Sequence, residues 1–376
     1  MRVLTVFGTR PEAIKLAPLV LAMQDTAEIE HVTCVTGQHR QMLDQILRTF
    51  EIVPEFDLNL MRPGQDLGHI TSAALQGVGD VIDKVKPDWV IVQGDTTTAF
   101  ASALAAFYRK VKVAHVEAGL RTGNIYSPWP EEMNRRLVGQ LTAMHFPPTP
   151  SSAENLRREG VGEDNICTTG NTVIDALQWV VKRLDGDAAF ASATDATLPK
   201  LQDGRKLILV TGHRRENFDG GLARVCTALK RIAQRGDVEI VYPVHLNPEV
   251  QKTANTILDD DPAIRLIAPV DYVPFIALMR QAYLIVTDSG GIQEEAPGLG
   301  KPVLVTRDTT ERPEAVTAGT ARLVGTDSEG LVTAVNELLD DRSAYARMAQ
   351  AKNPFGDGRA AGRIVERLLS RQKGLH

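Results

Sequence analysis

Hydrophobic and polar positions alternate along this chain between short apolar runs and amphipathic stretches. The apolar runs are rich in valine, isoleucine and leucine, as buried parallel strands are. In the first half of the chain they cover 2–7, 31–35, 88–92 and 111–116. The amphipathic stretches predict helices at 11–24, 38–49 and 97–108, and another that ends near residue 84. Residues 51–66 include two prolines and a glycine, which predict a loop.

The same alternation returns in the second half, after a change in composition. Residues 185–204 are rich in Ala, Asp, Thr, Gly and Pro, which predicts a poorly packed surface segment. Beyond it, strands are predicted at 206–210, 238–242, 264–267, 283–286 and 302–305. Such alternation builds parallel sheets with helices on both faces. The predicted fold class is α/β, with two doubly wound domains, a cleft between them, and ligands bound beyond the carboxyl ends of the strands.

Length and charge limit the possible functions. A chain of 376 residues is too long for one ordinary core and agrees with two domains. Its 43% hydrophobic and 24% charged residues are typical of soluble globular proteins. The formal charge of −5 gives no reason to expect nucleic acid or an anionic membrane as a partner. An anionic ligand would therefore have to be held by local cations.

The cysteines and the apolar segments indicate the compartment. Cys34, Cys167 and Cys226 are odd in number, far apart and without Cys-x-x-Cys spacing. This pattern predicts reduced thiols in the cytoplasm and excludes a zinc site built from cysteines. No secretion signal is expected at the N-terminus, and no apolar run approaches the ~20 residues that span a bilayer.

Two cations follow the first predicted strand, in the sequence Gly-Thr-Arg-Pro-Glu-Ala-Ile-Lys. Pro11 suits the first turn of a helix, which places Arg10 and Lys15 at the beginning of that helix. Cations there oppose the helix dipole unless an anion lies nearby. We expect Arg10 and Lys15 to face an anionic ligand, the alternative being a solvated surface pair.

Acidic residues follow further elements of the first half. Asp95 follows a strand and is a candidate for acid–base chemistry or an N-cap. Glu117 follows the next strand, and we expect His115 to point to the same side and orient it. The His-x-Glu pattern lacks the Pro-Cys-x-x-Cys half of a zinc deaminase, so no metal is expected there. Glu131 begins a helix with Arg135 one turn later, which alone is an ordinary helix pair.

In the second half, positive residues gather at strand ends. His213 lies between a strand and Arg214-Arg215, an arrangement that packing does not explain and that favours a phosphate-facing role. His245 follows the next strand and is a weaker candidate. Arg312 lies in a loop close in sequence to the helix considered next.

The stretch 283–295 predicts a strand, a glycine turn and a helix. Gly290 and Gly291 would allow a tight turn and a close approach of a ligand to the free amides at the helix start, which suit phosphate oxygens. Glu295, one turn further, could accept hydrogen bonds from ribose hydroxyls. The alternative is a simple helix start with Asp288 or Ser289 as cap and Glu294 as first-turn acid.

Several common motifs are missing from the sequence. No Gly-x-Gly-x-x-Gly follows a strand, and no Gly-x-x-x-x-Gly-Lys-[Ser/Thr] is present. A Gly-x-Ser-x-Gly elbow is absent as well. A nicotinamide enzyme, a P-loop NTPase and an α/β-hydrolase are therefore poorly supported, and no cofactor is expected.

Taken together, the motifs FGTRPEAIK, QGDTTT, HVEAGLRT, PEEMNR, GHRREN, VYPVH, TDSGGIQEEA and DTTERPEA closely resemble the non-hydrolysing UDP-N-acetylglucosamine 2-epimerases. The similarity covers essentially the whole chain in the same order. It implies a GT-B fold, with a C-terminal helix that crosses back to the first domain. The expected domains are 1–169 with 361–376, and 170–360. The resemblance also implies a bacterial homodimer that interconverts UDP-GlcNAc and UDP-ManNAc for surface polysaccharide synthesis.

The resemblance assigns roles to individual residues. Those implied to hold UDP are Arg10, His213, Ser289, Gly290, Glu295 and Arg312. Lys15 and Gly291 belong to the same candidate set for binding of the substrate and UDP. Those implied to surround the reacting sugar are Asp95, Glu117, Glu131, Arg135 and His213.

The reaction explains why cations and carboxylates are both needed. Carbon 2 of the sugar bears no acidic proton, and no nicotinamide site is available for oxidation of a neighbouring carbon. Loss of UDP from carbon 1 together with the carbon 2 proton gives a 2-acetamidoglucal, and re-addition with protonation on the opposite face completes the inversion. Cations would stabilise the diphosphate, while carboxylates would serve as base and acid. Which carboxylate serves which face stays open.

Three other functions use a similar nucleotide site. A hydrolysing epimerase would release free ManNAc and UDP, and a GT-B glycosyltransferase would need an acceptor. A sensor without turnover would bind UDP-GlcNAc only, although three carboxylates argue against a mere anion binder.

The resemblance further implies a second UDP-GlcNAc that acts as an activator. The candidate residues for such an allosteric site are Gln38, His39, Gln41, Arg214 and His245. The alternative is that Gln38 simply begins a helix and His245 satisfies a hydrogen bond of the core.

Overall fold

Two parallel sheets organise the residues that the computed structural model describes, which are 1–37, 40–60, 64–214 and 217–374. The first sheet contains β1 (Arg2–Phe7), β2 (Glu30–Val35), β3 (Phe56–Asp57), β4 (Trp89–Gln93), β5 (Lys112–Val116) and β6 (Met144–Phe146). The second contains β7 (Lys206–Thr211), β8 (Val238–Pro243), β9 (Ile264–Ile267), β10 (Leu284–Thr287), β11 (Val303–Val305) and β12 (Ala321–Leu323).

Both sheets have the same strand order. The first runs β3-β2-β1-β4-β5-β6, and the second, from its far edge, runs β9-β8-β7-β10-β11-β12. Numbered within each sheet, both give the 3-2-1-4-5-6 order of a Rossmann fold. The predicted α/β class with two doubly wound, Rossmann-like domains is confirmed.

Helices connect the strands of each sheet. In the first half they are α1 (Arg10–Gln24), α2 (Arg40–Thr49), α3 (Leu67–Val85), α4 (Thr97–Tyr108), α5 (Glu131–Leu141), α6 (Pro150–Arg158) and α7 (Thr172–Gly186). Beyond these lie α8 (Ala188–Asp195), α9 (Gly221–Ala233), α10 (Pro248–Leu258), α11 (Tyr272–Gln281), α12 (Gly290–Glu295), α13 (Pro313–Thr317), α14 (Ser328–Asp340), α15 (Arg342–Ala349) and α16 (Ala360–Gln372). No helix in the described ranges combines the length and apolar character that crossing a bilayer requires.

Two segments differ from the prediction. The predicted loop 51–66 contains β3, an edge strand whose two residues pair with β2 and are too few to show a periodic pattern. The predicted irregular segment 185–204 contains α8, which begins at the N-cap Asp187. An alanine-rich helix with a side-chain cap can form without a long apolar face.

The chain divides into two compact units. The first comprises Met1–Trp179 and Phe355–His376, and the second comprises Val180–Pro354. Residues 170–179 and 355–360, assigned to the second domain from sequence, pack within the first unit. The C-terminal helix α16 contacts α1, so its predicted return to the first domain is confirmed. The carboxylate of Asp175 accepts hydrogen bonds from the backbone N–H groups of Ala360 and Ala361, at 3.2 and 2.9 Å, and so holds the start of α16.

Each sheet has its own apolar core. In the first unit, Val6, Val90 and Val113 from adjacent strands pack with helix residues such as Val78 and Ala103. A similar core of the second unit surrounds β7, β8 and β10. These cores fix the strand ends from which the polar loops emerge.

Candidate active site

Four of the predicted site residues lie at the point of each sheet where the strand order reverses. In the first unit this point lies between β1 and β4, which are hydrogen-bonded neighbours. Arg10 follows β1 and Asp95 follows β4. In the second unit it lies between β7 and β10, which lead into His213 and Ser289. Doubly wound sheets bind their ligands at these positions.

A buried carboxylate ties the loop after β1 to the loop after β4. Glu12 Oε2 accepts hydrogen bonds from the backbone N–H groups of Gly8 and Thr9, at 3.0 and 2.8 Å, and from the Thr9 hydroxyl. Its Oε1 accepts from the hydroxyl of Thr96, the N-cap of α4, at 2.6 Å. Burial raises the pKa of Glu12, and these hydrogen bonds oppose the shift. Glu12 was not predicted as a site residue, although Thr9-x-x-Glu12 has the sequence of a capping box.

Glu117 is held by three side chains. It follows β5 with a φ of 62°, a left-handed conformation that is uncommon for residues other than glycine. Lys15 Nζ lies 2.6 and 2.7 Å from its two carboxylate oxygens. Gln93 donates to Oε2, and Asn171 Nδ2 donates to Oε1 at 3.0 Å. Because all three donate, they favour the charged carboxylate. Lys15, expected to face an anionic ligand, is thus paired with an acid of the protein.

Asp95 has a different environment. Arg135 donates to its Oδ2, and Asn134 Nδ2 donates to its backbone carbonyl at 2.9 Å. Burial is the largest influence on Asp95 and raises the pKa of this carboxyl group, to which the negative charge of Glu117 adds. The charges of Arg135 and Lys15 act in the opposite direction. Asp95 and Glu117 therefore interact electrostatically, with burial raising the pKa of Asp95 and three donors surrounding Glu117.

The acids at the start of α5 have distinct roles. Glu131 is the first helical residue and partly exposed, whereas the side chain of Glu132 is fully buried. Glu132 accepts from the Thr122 backbone N–H at 3.0 Å and pairs with Arg135 and Arg136. The pair considered from sequence, Glu131 with Arg135, is not found among the described residues, since Arg135 contacts Asp95 and Glu132 instead.

His115 does not orient Glu117 as expected. Its Nε2 lies 2.7 Å from the carbonyl oxygen of Gly94, an acceptor, so this nitrogen carries the hydrogen. Burial lowers the pKa of His115 to about 3, which keeps the ring neutral. Glu117 lies just beyond the end of β5, where the strand alternation that led to the expectation no longer applies. The histidine instead fixes the turn that precedes Asp95.

Arg10 is available for a ligand. It is the first residue of α1, after the N-cap Thr9, and its side chain is partly buried. Within the described part of the chain no acidic side chain pairs with it. A cation at a helix N-terminus that lacks an acidic partner agrees with a position facing an anion.

In the second unit, a buried aspartate shapes the loop that carries His213. Asp288 is 1% exposed, and its Oδ2 accepts from the backbone N–H groups of His213 and Arg214, both at 2.8 Å. Its Oδ1 lies 3.8 Å from His213 Nδ1. The ring of His213 stacks on that of His245 with centroids 4.9 Å apart. Burial is the largest influence on His213 and lowers its pKa, against the opposing effect of Asp288.

The start of α12 has no side-chain cap. Ser289 is the N-cap, but its side chain makes no capping hydrogen bond. Neither Gly290 nor Gly291 has a positive φ, so the tight turn expected from these glycines is not their role. A Cβ atom would meet only Glu311 Oε2 at Gly290 and Ser289 Oγ at Gly291, each at 4.0 Å. The protein's own packing therefore does not require glycine at these positions, which agrees with a ligand close to the backbone.

The two remaining residues predicted to bind the nucleotide, Glu295 and Arg312, each contact another side chain of the second unit. Glu295 accepts a hydrogen bond from the hydroxyl of Tyr272 at 3.1 Å. Arg312 donates to Glu294, which is 2% exposed. Glu294 is therefore the internal partner of Arg312 rather than a first-turn acid of α12.

The candidate residues of the second nucleotide site are only partly described. Gln38 and His39 lie outside the described residues, and Gln41 is exposed on α2. His245 is exposed as well, and its Nδ1 accepts the backbone N–H of Asn247 at 3.1 Å, so it is not a core residue. An Nη atom of Arg214 lies 3.9 Å from Glu311.

Comparison with known proteins identifies the family. Residues 21–369 match the family described as UDP-N-acetylglucosamine 2-epimerase. The chain is 56% identical over 376 residues to UDP-N-acetylglucosamine 2-epimerase of Escherichia coli strain K12, with 100% of both chains covered.

Solved structures agree with this match. The crystal structure of UDP-GlcNAc 2-epimerase from Neisseria meningitidis bound to UDP-GlcNAc superposes with a TM-score of 0.90, at 48% identity, over 98% of this chain and 100% of that one. The enzyme from Methanocaldococcus jannaschii in complex with UDP-GlcNAc and UDP has a TM-score of 0.80 at 35% identity, over 98% and 99% of the two chains. The chain belongs to the UDP-N-acetylglucosamine 2-epimerase family.

Proposed function

We propose that this protein is a non-hydrolysing UDP-N-acetylglucosamine 2-epimerase that interconverts UDP-GlcNAc and UDP-ManNAc. A base removes the proton from carbon 2 while the bond between carbon 1 and the UDP oxygen breaks, and UDP leaves with the electron pair. The product is 2-acetamidoglucal, with a double bond between carbons 1 and 2. UDP then adds again to carbon 1 as carbon 2 receives a proton on its opposite face.

The contrast between Asp95 and Glu117 carries this proposal. Two acidic groups that act on opposite faces need different protonation states, and their environments must separate them. Three donors around Glu117 favour the carboxylate, which suits a base. Burial raises the pKa of Asp95, which is the direction that an acid requires. In the reverse direction the two groups exchange roles. Glu131, with Arg135, is proposed to contact the sugar.

The loops of the second unit suit the nucleotide. The backbone amides of Gly290 and Gly291, at a helix start without a side-chain cap, can donate to phosphate oxygens, and Glu295 can accept from the ribose hydroxyls. His213, Arg312 and, from the first unit, Arg10 supply positive or donor groups for the diphosphate as it leaves. The nucleotide sugars bound in the N. meningitidis and M. jannaschii enzymes support this ligand class.

One experiment separates the proposed function from its alternatives. Pure protein is incubated with UDP-GlcNAc alone, and the sugar signals are followed by NMR. UDP-ManNAc that accumulates without free sugar supports the proposal. Free ManNAc with UDP would indicate a hydrolysing epimerase, and UDP release only after addition of a sugar acceptor would indicate a glycosyltransferase. Binding without any turnover would leave a nucleotide-sugar sensor.

We further propose a homodimer that works in the cytoplasm and supplies polysaccharide synthesis. Large apolar side chains are exposed at the end of α4, just before α5 and on α5, among them Phe107, Tyr108, Trp129, Met133 and Leu137. Such a patch is typical of a protein interface. The three cysteines are free thiols, as in proteins of a reducing compartment. Light scattering of the purified protein tests the dimer.

The proposal includes an activator site. A second UDP-GlcNAc would bind near His245, Arg214 and Gln41 and shift the protein to a more active state, for which it must have the higher affinity. The rate would then depend sigmoidally on UDP-GlcNAc, and the reaction from pure UDP-ManNAc would lag until a trace of UDP-GlcNAc is added. Hyperbolic kinetics with an immediate reverse reaction would contradict activation.

A further inference from the structure

Asn171 connects Glu117 to the segment with which the chain returns to the first unit. Asn171 is 2% exposed and lies just before α7. Its side-chain Nδ2 donates to Glu117 Oε1 at 3.0 Å. Its backbone N–H donates to the carbonyl of Phe355 at 2.6 Å, and Phe355 is where the chain re-enters this unit. One buried residue thus bonds both the carboxylate and the returning chain.

The orientation of the Asn171 amide follows from its partners. Its Oδ1 accepts the backbone N–H of Val173 at 3.1 Å, and a carboxylate can only accept. The nitrogen must therefore face Glu117, and the amide cannot flip without losing both bonds. The side chain is fixed from its two ends.

Close backbone contact locks the same place. Gly170 and Gly356 have φ values of 91° and 135°. A Cβ atom on Gly356 would lie 3.3 Å from Gly170 Cα and 3.4 Å from the backbone nitrogen of Asn171. The two segments pack too tightly for a side chain at this crossing, which we define as residues 170–171 and 355–356. A shift of the returning segment would therefore move Asn171.

We propose that Asn171 is a positioning residue for Glu117, and that this crossing determines the place of the carboxylate. The inference rests on the proposed function, in which Glu117 is the base. The amide donor keeps Glu117 charged and holds one carboxylate oxygen while Lys15 binds both. Among the described residues, Asp95, on the loop after β4, and the neutral His115 on β5 also interact electrostatically with Glu117.

The chain offers a matched control for this role. Gln178 on α7 donates to the carbonyl of Asp357 at 3.2 Å, so it bonds the same returning segment but through an acceptor other than Glu117. Gln178→Ala removes a hydrogen bond to that segment and leaves the Asn171 amide in place. Asn171→Asp is the isosteric variant, since it keeps an acceptor for Val173 and the backbone bond to Phe355.

The test is the pH dependence of kcat with UDP-GlcNAc, together with UDP affinity and the thermal midpoint. Asn171→Ala is expected to lower kcat about tenfold or more, the effect of one hydrogen bond to a charged group. Loss of a donor makes Glu117 easier to protonate, so the acid limb should move to higher pH, by about one unit. Asn171→Asp should lower kcat further than Asn171→Ala does, because two carboxylates then face each other. The Asn171 variants should bind UDP as tightly as wild type does. Gln178→Ala should match wild type in both its pH profile and its UDP affinity.

The outcomes distinguish this inference from the proposed function. Wild-type protein that does not convert UDP-GlcNAc would contradict the function itself. Active wild type with Asn171→Asp and Asn171→Ala profiles like that of Gln178→Ala would overturn the positioning role. Gly356→Ala should lower kcat in the same direction, and its effect should not add to that of Asn171→Ala. Full additivity of the two would show that the crossing does not act through Asn171.

Discussion

Lys15 Nζ contacts both carboxylate oxygens of Glu117, at 2.6 and 2.7 Å, although 102 residues separate the two in sequence. Their side chains are 17% and 5% exposed, so the pair is mostly shielded from water. The ammonium group of Lys15 therefore forms an ion pair with an acid of the protein itself. This assigns to Lys15 a role in keeping Glu117 charged.

Lys15→Met should consequently impair turnover more than nucleotide binding. Breaking a mostly buried pair removes the ammonium group from Glu117 and should lower the free energy of unfolding, by up to about 3 kcal/mol. We expect a large drop in kcat with UDP affinity close to wild type, measured by calorimetry. Lys15→Arg, which keeps the charge, is the control. If Lys15→Met loses UDP affinity as strongly as kcat, Lys15 binds the diphosphate instead.

The adjacent acids of α5 provide a second test. Glu132→Gln should reduce stability by about 3 kcal/mol, because it removes a fully buried charge from two arginines. Glu131→Gln should leave the unfolding midpoint unchanged and reduce kcat. Chemical denaturation and steady-state kinetics of both variants are compared. A stability loss in Glu131→Gln, or none in Glu132→Gln, would contradict the assignment.

Gly291→Ala should weaken UDP binding without lowering the stability of the protein. A Cβ atom has 4.0 Å of clearance there, and alanine is favoured over glycine in a helix by up to about 1 kcal/mol. The variant is expected to be as stable as wild type or slightly more so, yet to bind UDP at least about tenfold more weakly, since the methyl group occupies the place of a phosphate. Retained UDP affinity would place the diphosphate elsewhere.

Isotope experiments test the elimination step. In heavy water, UDP-ManNAc formed from UDP-GlcNAc should carry deuterium at carbon 2, because the proton added comes from a group that exchanges with solvent. The oxygen that bridges carbon 1 and phosphorus should scramble within UDP, which is free to rotate in the intermediate state. Retention of the original hydrogen in every product molecule would contradict separate base and acid groups.

Buried histidines should make the first unit acid-sensitive. Burial lowers the pKa of His31 to about 4, of His115 to about 3 and of His145 to about 4. The unfolded chain binds protons near pH 6.5 whereas the folded chain does not, so stability should fall as the pH drops from 6.5 toward 4, by up to about 3 kcal/mol for each histidine. The raised pKa of Glu12 acts in the opposite direction.

His31→Gln isolates one of these contributions. His31 Nε2 bonds the hydroxyl of Thr5 at 2.9 Å, and a glutamine amide can replace that contact without titrating. Urea denaturation between pH 7 and 4.5 should show a shallower loss of stability in the variant. Identical slopes for variant and wild type would mean that the pKa of His31 is not lowered in the folded state.

The strands and the loops that bear the site could be predicted from sequence, because both follow from local pattern. Apolar β-branched runs mark the strands, and polar residues directly after them mark the ligand side of a parallel sheet. Arg10, Asp95, His213 and Ser289 were predicted to follow strands in this way. The periodicities of strands and helices, two and 3.6 residues, can be recognised from residues that are close in sequence.

Pairings between distant residues could not be predicted. Arg135 reaches Asp95 across 40 positions, and Asn171 reaches Glu117 across 54. Which of the two acids at the start of α5 points inward depends on how the chain enters that helix, which composition does not encode. The capping-box sequence could have indicated that Glu12 is held at the helix start, but not that Thr96 binds its second oxygen.

The return of α16 to the first unit has a consequence for synthesis on the ribosome. Residues 180–354 form one compact unit, whereas the first unit needs residues 355 onward to cover α1 and to occupy the carboxylate of Asp175. The half that is translated second can therefore finish folding before the half that is translated first. Until the last helix emerges, the apolar surface of α1 stays exposed on the nascent chain, and a truncation before residue 360 should yield protein that depends on chaperones.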